Sequence, residues 1–157
     1  MSNKSEISEL AVAQARADAD QLTCLIDAYE AHLIENDFSG PWPRDWADAF
    51  GDIQDWPTTD SDKALAFIVL GAARSNHPGF VALLACGPLE DILREPSSAM
   101  IERIVSEAHH SSRFRWLLNH PYKVAVSNNA WRAIQPVRTA SPHEEPPPNT
   151  MPDSYFS

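Results

Sequence analysis

A glycine–proline step in the middle of the chain, Gly87-Pro88, constrains the fold more than any other feature of the sequence. Apolar residues at helical spacing precede it at positions 80–85 and follow it at Leu89, Ile92 and Leu93. Glycine commonly caps the end of a helix, and proline suits the first position of the next, where its missing N–H costs nothing. The sequence therefore predicts a joint between two helices, with Gly87 closing the first and Pro88 opening the second.

Helical periodicity continues on both sides of this joint. The helical spacing of apolar residues predicts one long helix, or two joined ones, over residues 5–35. The first ten or so residues of the chain are expected to be frayed. Asp60 or Ser61 is suited to cap one later helix, and Ser97 or Ser98 another. Gly71 permits a close helix approach, and Trp56-Pro57 ends a helix. Tyr122, Val124 and Val126 alternate like a strand, but they have no second run to pair with and are interpreted as an extended linker.

These patterns predict an all-α fold, an irregular bundle of short helices. A solenoid-like stack of helix pairs stays open, although no repeat of fixed period is visible. Residues 1–135 form the single helical domain. Six prolines lie between residues 136 and 152, so residues 136–157 are predicted to be a disordered proline-rich tail. Its Pro146-Pro147-Pro148 run favours polyproline II, which leaves open a scaffold or accessory subunit that recruits a partner through the tail.

The surface charge is the clearest guide to function. The net charge is −10, and residues 1–62 hold 14 acidic against three basic residues, a net of −11 for that part. Acidic surfaces repel phosphate, which disfavours direct nucleic-acid binding and makes a basic protein the natural partner. Acidity that serves only solubility is the open alternative. Without a signal peptide or a membrane-spanning run, the expected location is the cytoplasm, and Cys24 and Cys86 are expected to be buried, reduced thiols.

A short helix after residue 41 concentrates this charge. Trp42, Trp46, Phe50 and Ile53 mark its apolar face, and Asp45, Asp48, Asp52 and Asp55 follow one another at helical spacing on the opposite face. Such a stripe is either a solvated face or an electrostatic docking strip. In the second interpretation the four aspartates steer a basic partner, and Trp42 or Trp56 is the buried anchor.

The region from about residue 46 to 134 resembles a family of small bacterial domains of uncharacterised function. The resemblance rests on three stretches: the corner at residues 87–93 (Gly-Pro-Leu-Glu-Asp-Ile-Leu), the helix at residues 101–108, and Phe114-Arg115-Trp116 with the late Trp131. It implies a helical fold and a bacterial source, and it implies no activity.

Catalytic signatures are weak by comparison. Glu107 and His110 form a single Glu-x-x-His pair, whereas di-iron bundles need that element twice, so they are only weak metal-ligand candidates. No Gly-x-Ser-x-Gly turn or glycine-rich phosphate loop is present, and no cofactor is predicted.

The favoured hypothesis is a non-enzymatic, acidic protein-binding module, such as an immunity-type or inhibitor protein that binds a basic effector. A small metal-dependent or acid–base enzyme that uses Glu107, His109 and His110 is the alternative from another class.

Overall fold

The computed structural model describes residues 15–38, 44–139 and 144–153, with only the backbone for residues 44–49. Within these ranges the chain is all-α and contains no strand, which confirms the predicted irregular bundle of short helices. The α-helices in chain order are α1 (Ala19–Glu35), α2 (Arg44–Thr59), α3 (Ser61–Arg74), α4 (Pro78–Leu84), α5 (Glu90–Arg94), α6 (Ser98–His110), α7 (Ser112–Leu117) and α8 (Asn128–Ile134).

Helix α3 is the centre of the bundle. It packs against α1, α2, α4 and α7, and its residues 65–68 are fully buried. Gly71 provides the close approach that the sequence predicts, because a Cβ placed there would lie 2.8 Å from Leu84 Cδ1 on α4. Helix ends are capped as predicted at two places, where the side chains of Asp60 and Ser97 accept hydrogen bonds from the backbone N–H groups of Lys63 and Met100.

The predicted joint at Gly87-Pro88 is wrong. Residues 78–94 form one uninterrupted helical run, in which residues Ala85–Leu89 make a wide π turn between α4 and α5. The backbone N–H of Glu90 donates to the carbonyl oxygen of Ala85, five residues earlier. Pro88 has no backbone N–H and cannot donate the usual helical hydrogen bond. The wider π turn accommodates this missing bond, so the helix continues through Pro88 instead of ending there. No described glycine has positive φ, so Gly87 is not a left-handed cap.

Two other sequence expectations also need correction. Helix α2 continues through Pro57 to Thr59, and the chain leaves the helix only at Asp60, which caps α3. The Pro57 side chain is buried, and its packing holds this turn in the helical conformation. Cys24 is exposed, not buried. The buried stripe of α1 includes Leu22 and Ile26, and Cys24, halfway between them in sequence, lies on the other side of the helix. Cys86 is half-buried.

The described part of the proline-rich segment, residues 144–153, lies against the helices. The Trp116 indole N–H donates to Thr150 Oγ1 at 2.9 Å, and Arg113 Nε donates to the carbonyl oxygen of Pro152 at 2.9 Å. Met151 packs against the edge of the core. Composition alone, which predicts disorder for residues 136–157, gives no sign of these contacts. The rest of that segment beyond Thr139, residues 140–143 and 154–157, falls outside the described ranges.

Candidate binding groove

A groove runs along the wide turn where it faces α2. It has a volume of about 500 Å³, and its walls come from α1, α2, α4 and α5. The lining residues are Tyr29, Ile53, Gln54, Asp55, Leu83, Gly87, Pro88 and Asp91. Gly87 matters here because a Cβ on it would meet no atom within 4 Å, so this part of the wall is open. We call this surface the wide-turn groove.

A second depression of about 540 Å³ adjoins it and shares Gln54 and Asp91. It extends from the end of α2 to the start of α6, and its lining adds Glu95 and Arg94 to the apolar residues Ile92 and Met100. The two depressions therefore adjoin each other, and both are lined by apolar residues together with carboxylates.

The charge of this surface is negative but partly balanced. Asp55 and Asp91 line the wide-turn groove, and Arg94 Nη2 lies 3.3 Å from Asp91 Oδ1. The Arg94 side chain is 67 % exposed, so the ion pair is weak and easily exchanged for a different cation. A basic side chain of a partner can therefore compete with Arg94 for Asp91.

The predicted docking strip is described only in part. Phe50 and Ile53 are buried while Asp52 and Asp55 are exposed, as the amphipathic pattern of α2 predicts. Of the two aspartates of this strip whose side chains are described, Asp55 lines the groove and Asp52 does not. The side chains of Asp45 and Asp48, and the whole of Trp42, lie outside the described residues.

Trp56, the other predicted anchor, is half-buried and already engaged. Its ring meets Phe67 edge-on at a centroid distance of 5.9 Å, and Lys63 Nζ lies 4.6 Å from its centroid. It therefore helps to hold α2 against α3.

Asp91, Gln54 and Tyr29 were missed as site residues by sequence reasoning. Asp91 belongs to the Gly-Pro-Leu-Glu-Asp stretch, so the signal was present but was interpreted as a helix start. Gln54 and Tyr29 carry no local signal, because only the packing of α1 and α2 beside the wide turn brings them to the groove.

The metal-ligand candidates differ in their exposure to solvent. Glu107 is buried, and burial raises its pKa to about 7 although Arg103 and His110 act to lower it. His110 is exposed, with Nδ1 2.7 Å from the carbonyl oxygen of Ser106, and His109 is exposed as well. Among the described residues, no group of three or more His, Cys, Asp or Glu side chains is arranged to hold a metal ion.

A cysteine in the wide turn is surrounded by polar groups but is not activated. Burial, together with the charges of Glu90 and Glu145, raises the pKa of Cys86 to about 12. Its Sγ lies 3.7 Å from the carbonyl oxygen of His120. A thiol with this pKa stays protonated at neutral pH, so the arrangement does not generate the thiolate that a nucleophile needs.

The described part of the chain is a small all-α domain with an acidic surface cleft. The chain belongs to DUF6869, a family of unknown function, whose profile matches residues 35–141. No curated protein and no solved structure matches the chain. None of the described helices combines the length and apolar character needed to cross a membrane.

Proposed function

We propose that this protein is a non-enzymatic binding module that takes a basic segment of a partner protein into the wide-turn groove. The observation that carries the proposal is the presence of Asp55 and Asp91 in one groove whose lining also includes the apolar residues Leu83 and Pro88. Apolar floors supply the binding energy of an interface, and acidic rims speed the approach of a basic partner and select for it.

The charge of the whole chain supports the same partner chemistry. Residues 1–62 carry the excess of acid, and α1 and α2, which line part of the groove, belong to that part of the chain. At physiological salt, charges act over about 8 Å, so nearby carboxylates add to the attraction. The finer form of the proposal is an immunity-type or inhibitor protein that covers a basic effector in a bacterial cytoplasm.

The test begins with the intact protein as bait in an extract of its host, followed by purification of the captured basic protein. Its affinity is then measured at low and high salt for the wild type and for Asp55→Asn/Asp91→Asn. The double variant should bind at least tenfold more weakly at low salt and show a flatter salt dependence.

A matched control is available on α1 and the turn after it. Glu35→Gln/Asp37→Asn removes the same two charges from exposed residues that do not line the groove. Asp37 has a φ of 51°, a conformation that asparagine also accepts. If the control weakens binding as much as the groove variant does, only the overall charge matters and the groove is not the site.

A further inference from the structure

The cleft between α4 and α7 holds residues 144–153 by contacts that resemble peptide recognition. The turn Pro148–Thr150 lies beside α4, while Thr150 and Pro152 bond to Trp116 and Arg113 on α7. We call residues 144–153 the strap. It is built from other residues than the wide-turn groove, so the inference below does not depend on the proposed function.

The cleft is preorganised around a buried cation. Arg113 is 3 % exposed, and its Nη1 donates to the carbonyl oxygens of Ala72 and Ser75 at the end of α3. Both of these acceptors belong to the helical bundle and not to the strap. Its Nε then points at the strap and donates to Pro152, while the negative charge of Asp153 lies close enough to act on it.

The indole N–H of Trp116 also requires a hydrogen-bond acceptor. Its indole N–H can only donate, and Trp116 is 7 % exposed, so the group needs a hydrogen-bond acceptor from whatever occupies the cleft. Thr150 Oγ1 fulfils that need. A segment that offers one hydroxyl or carbonyl oxygen to Trp116 and another to Arg113 therefore fits the cleft.

The strap itself is bound shallowly, with one residue of polyproline II conformation leading into the 3-10 turn Pro148–Thr150. No residue from 144 to 153 is buried, and Pro146, Met151 and Pro152 are half-buried while the others are exposed. Pro147 has φ −59° and ψ 144°, the polyproline II conformation. Polyproline II segments lose little entropy on binding and are commonly recognised by aromatic clefts. Segments with so little buried surface open at low free-energy cost.

The cleft lies inside the part of the chain that the family covers, and the strap lies outside it. Ala72, Ser75, Arg113 and Trp116 lie within the matched residues 35–141, whereas the strap lies beyond them. We propose that the cleft between α4 and α7 is a peptide-binding site, that the strap occupies it in cis, and that a proline-rich segment of a partner protein with the same acceptors displaces the strap.

The test uses the full chain and a fluorescein-labelled peptide with the sequence of residues 144–153. A tethered ligand reaches an effective concentration of roughly millimolar, so the wild type should bind the peptide poorly. Thr150→Val removes the acceptor for Trp116, and Met151→Asp removes an apolar contact. Both variants should bind the peptide at least tenfold more tightly than the wild type does in fluorescence anisotropy.

Asn149→Ala is the matched control, because Asn149 is exposed on the strap directly before Thr150. It should bind the peptide no better than the wild type. A labelled peptide with Val in place of Thr150 should bind the opened chains more weakly than the native peptide.

Equal, weak binding of the native peptide by the wild type and Thr150→Val would overturn the proposal and make the strap a fixed part of the fold. Dimers of the variants that bind no peptide, seen by analytical ultracentrifugation, would also overturn it in favour of self-association. Circular dichroism establishes that each variant is folded, and Thr150→Val decides the matter if Met151→Asp unfolds.

Discussion

Gly71 on α3 faces Leu84 on α4 so closely that a Cβ at Gly71 would lie 2.8 Å from Leu84 Cδ1. Leu84 is fully buried and cannot turn away without disturbing its neighbours, which include Phe80 near the same point. The separation of the two central helices is therefore set by the absence of a side chain at one position.

Gly71→Ala should lower the free energy of unfolding by about 1–2 kcal/mol, because overpacking of a core outweighs the gain in helix propensity. Urea denaturation followed by circular dichroism measures the change. Gly87→Ala is the internal control, since a Cβ there meets no atom within 4 Å and the residue lies in a helical run. It should leave stability unchanged or raise it by up to about 1 kcal/mol. Equal losses in both variants would contradict the proposed contact.

Glu107→Gln should stabilise the protein above neutral pH. Burial raises the pKa of Glu107 from 4.5 to about 7, so the folded state favours the protonated acid. Stability that this group provides is present below pH 4.5 and is lost as the pH rises through about 7. The amide cannot ionise, so the variant should gain about 1–2 kcal/mol at pH 8 and little at pH 4.

Denaturant midpoints at several pH values check this expectation. Glu102→Gln is the control on the same helix, because Glu102 is exposed, and it should keep the pH dependence of the wild type. A Glu107→Gln protein whose stability falls with rising pH as steeply as that of the wild type would show that other groups cause the slope.

Arg113→Lys should destabilise the protein although it keeps the charge. The planar guanidinium reaches the carbonyl oxygens of Ala72, Ser75 and Pro152 at once, and a lysine ammonium cannot match that fork. A loss of about 2 kcal/mol is expected from carbonyl groups left without a donor. Thermal unfolding should show a clear drop for Arg113→Lys and almost none for Arg132→Lys, whose side chain is exposed and has a 3.4 Å contact with Asn129.

Local signals in the sequence predicted the fold class and several helix ends, because periodicity and side-chain caps act within a few residues. Asp60 and Ser97 are caps where the sequence places them. Pro88 and Pro57 misled the same reasoning, since a proline ends a helix only if nothing outside the turn holds it. At Pro88 the neighbouring turns of α4 and α5 are held by the core through Leu84 and Leu93, and the chain widens instead.

Only part of the candidate groove could be predicted from the sequence, and the reason differs from the one that applies to the prolines. Asp55 was singled out by charge spacing along α2, a property of one helix. Its pairing with Asp91 depends on how α2 packs beside the wide turn, about 36 residues further along the chain. Periodicity within a helix carries no information about which other helix it faces.

Cys86 should react with alkylating reagents far more slowly than Cys24. Burial and the charges of Glu90 and Glu145 raise the pKa of Cys86 to about 12, and the thiolate is the reactive form. Cys24 is exposed on α1. At pH 8 we expect the rate with iodoacetamide to differ at least about tenfold, measured by mass spectrometry of tryptic peptides over time. Denaturation in urea should remove the difference, because both thiols then share the same solvent. Similar rates in the folded protein would mean that the wide turn opens often enough to expose Cys86, and the groove beside it would then lack a fixed wall.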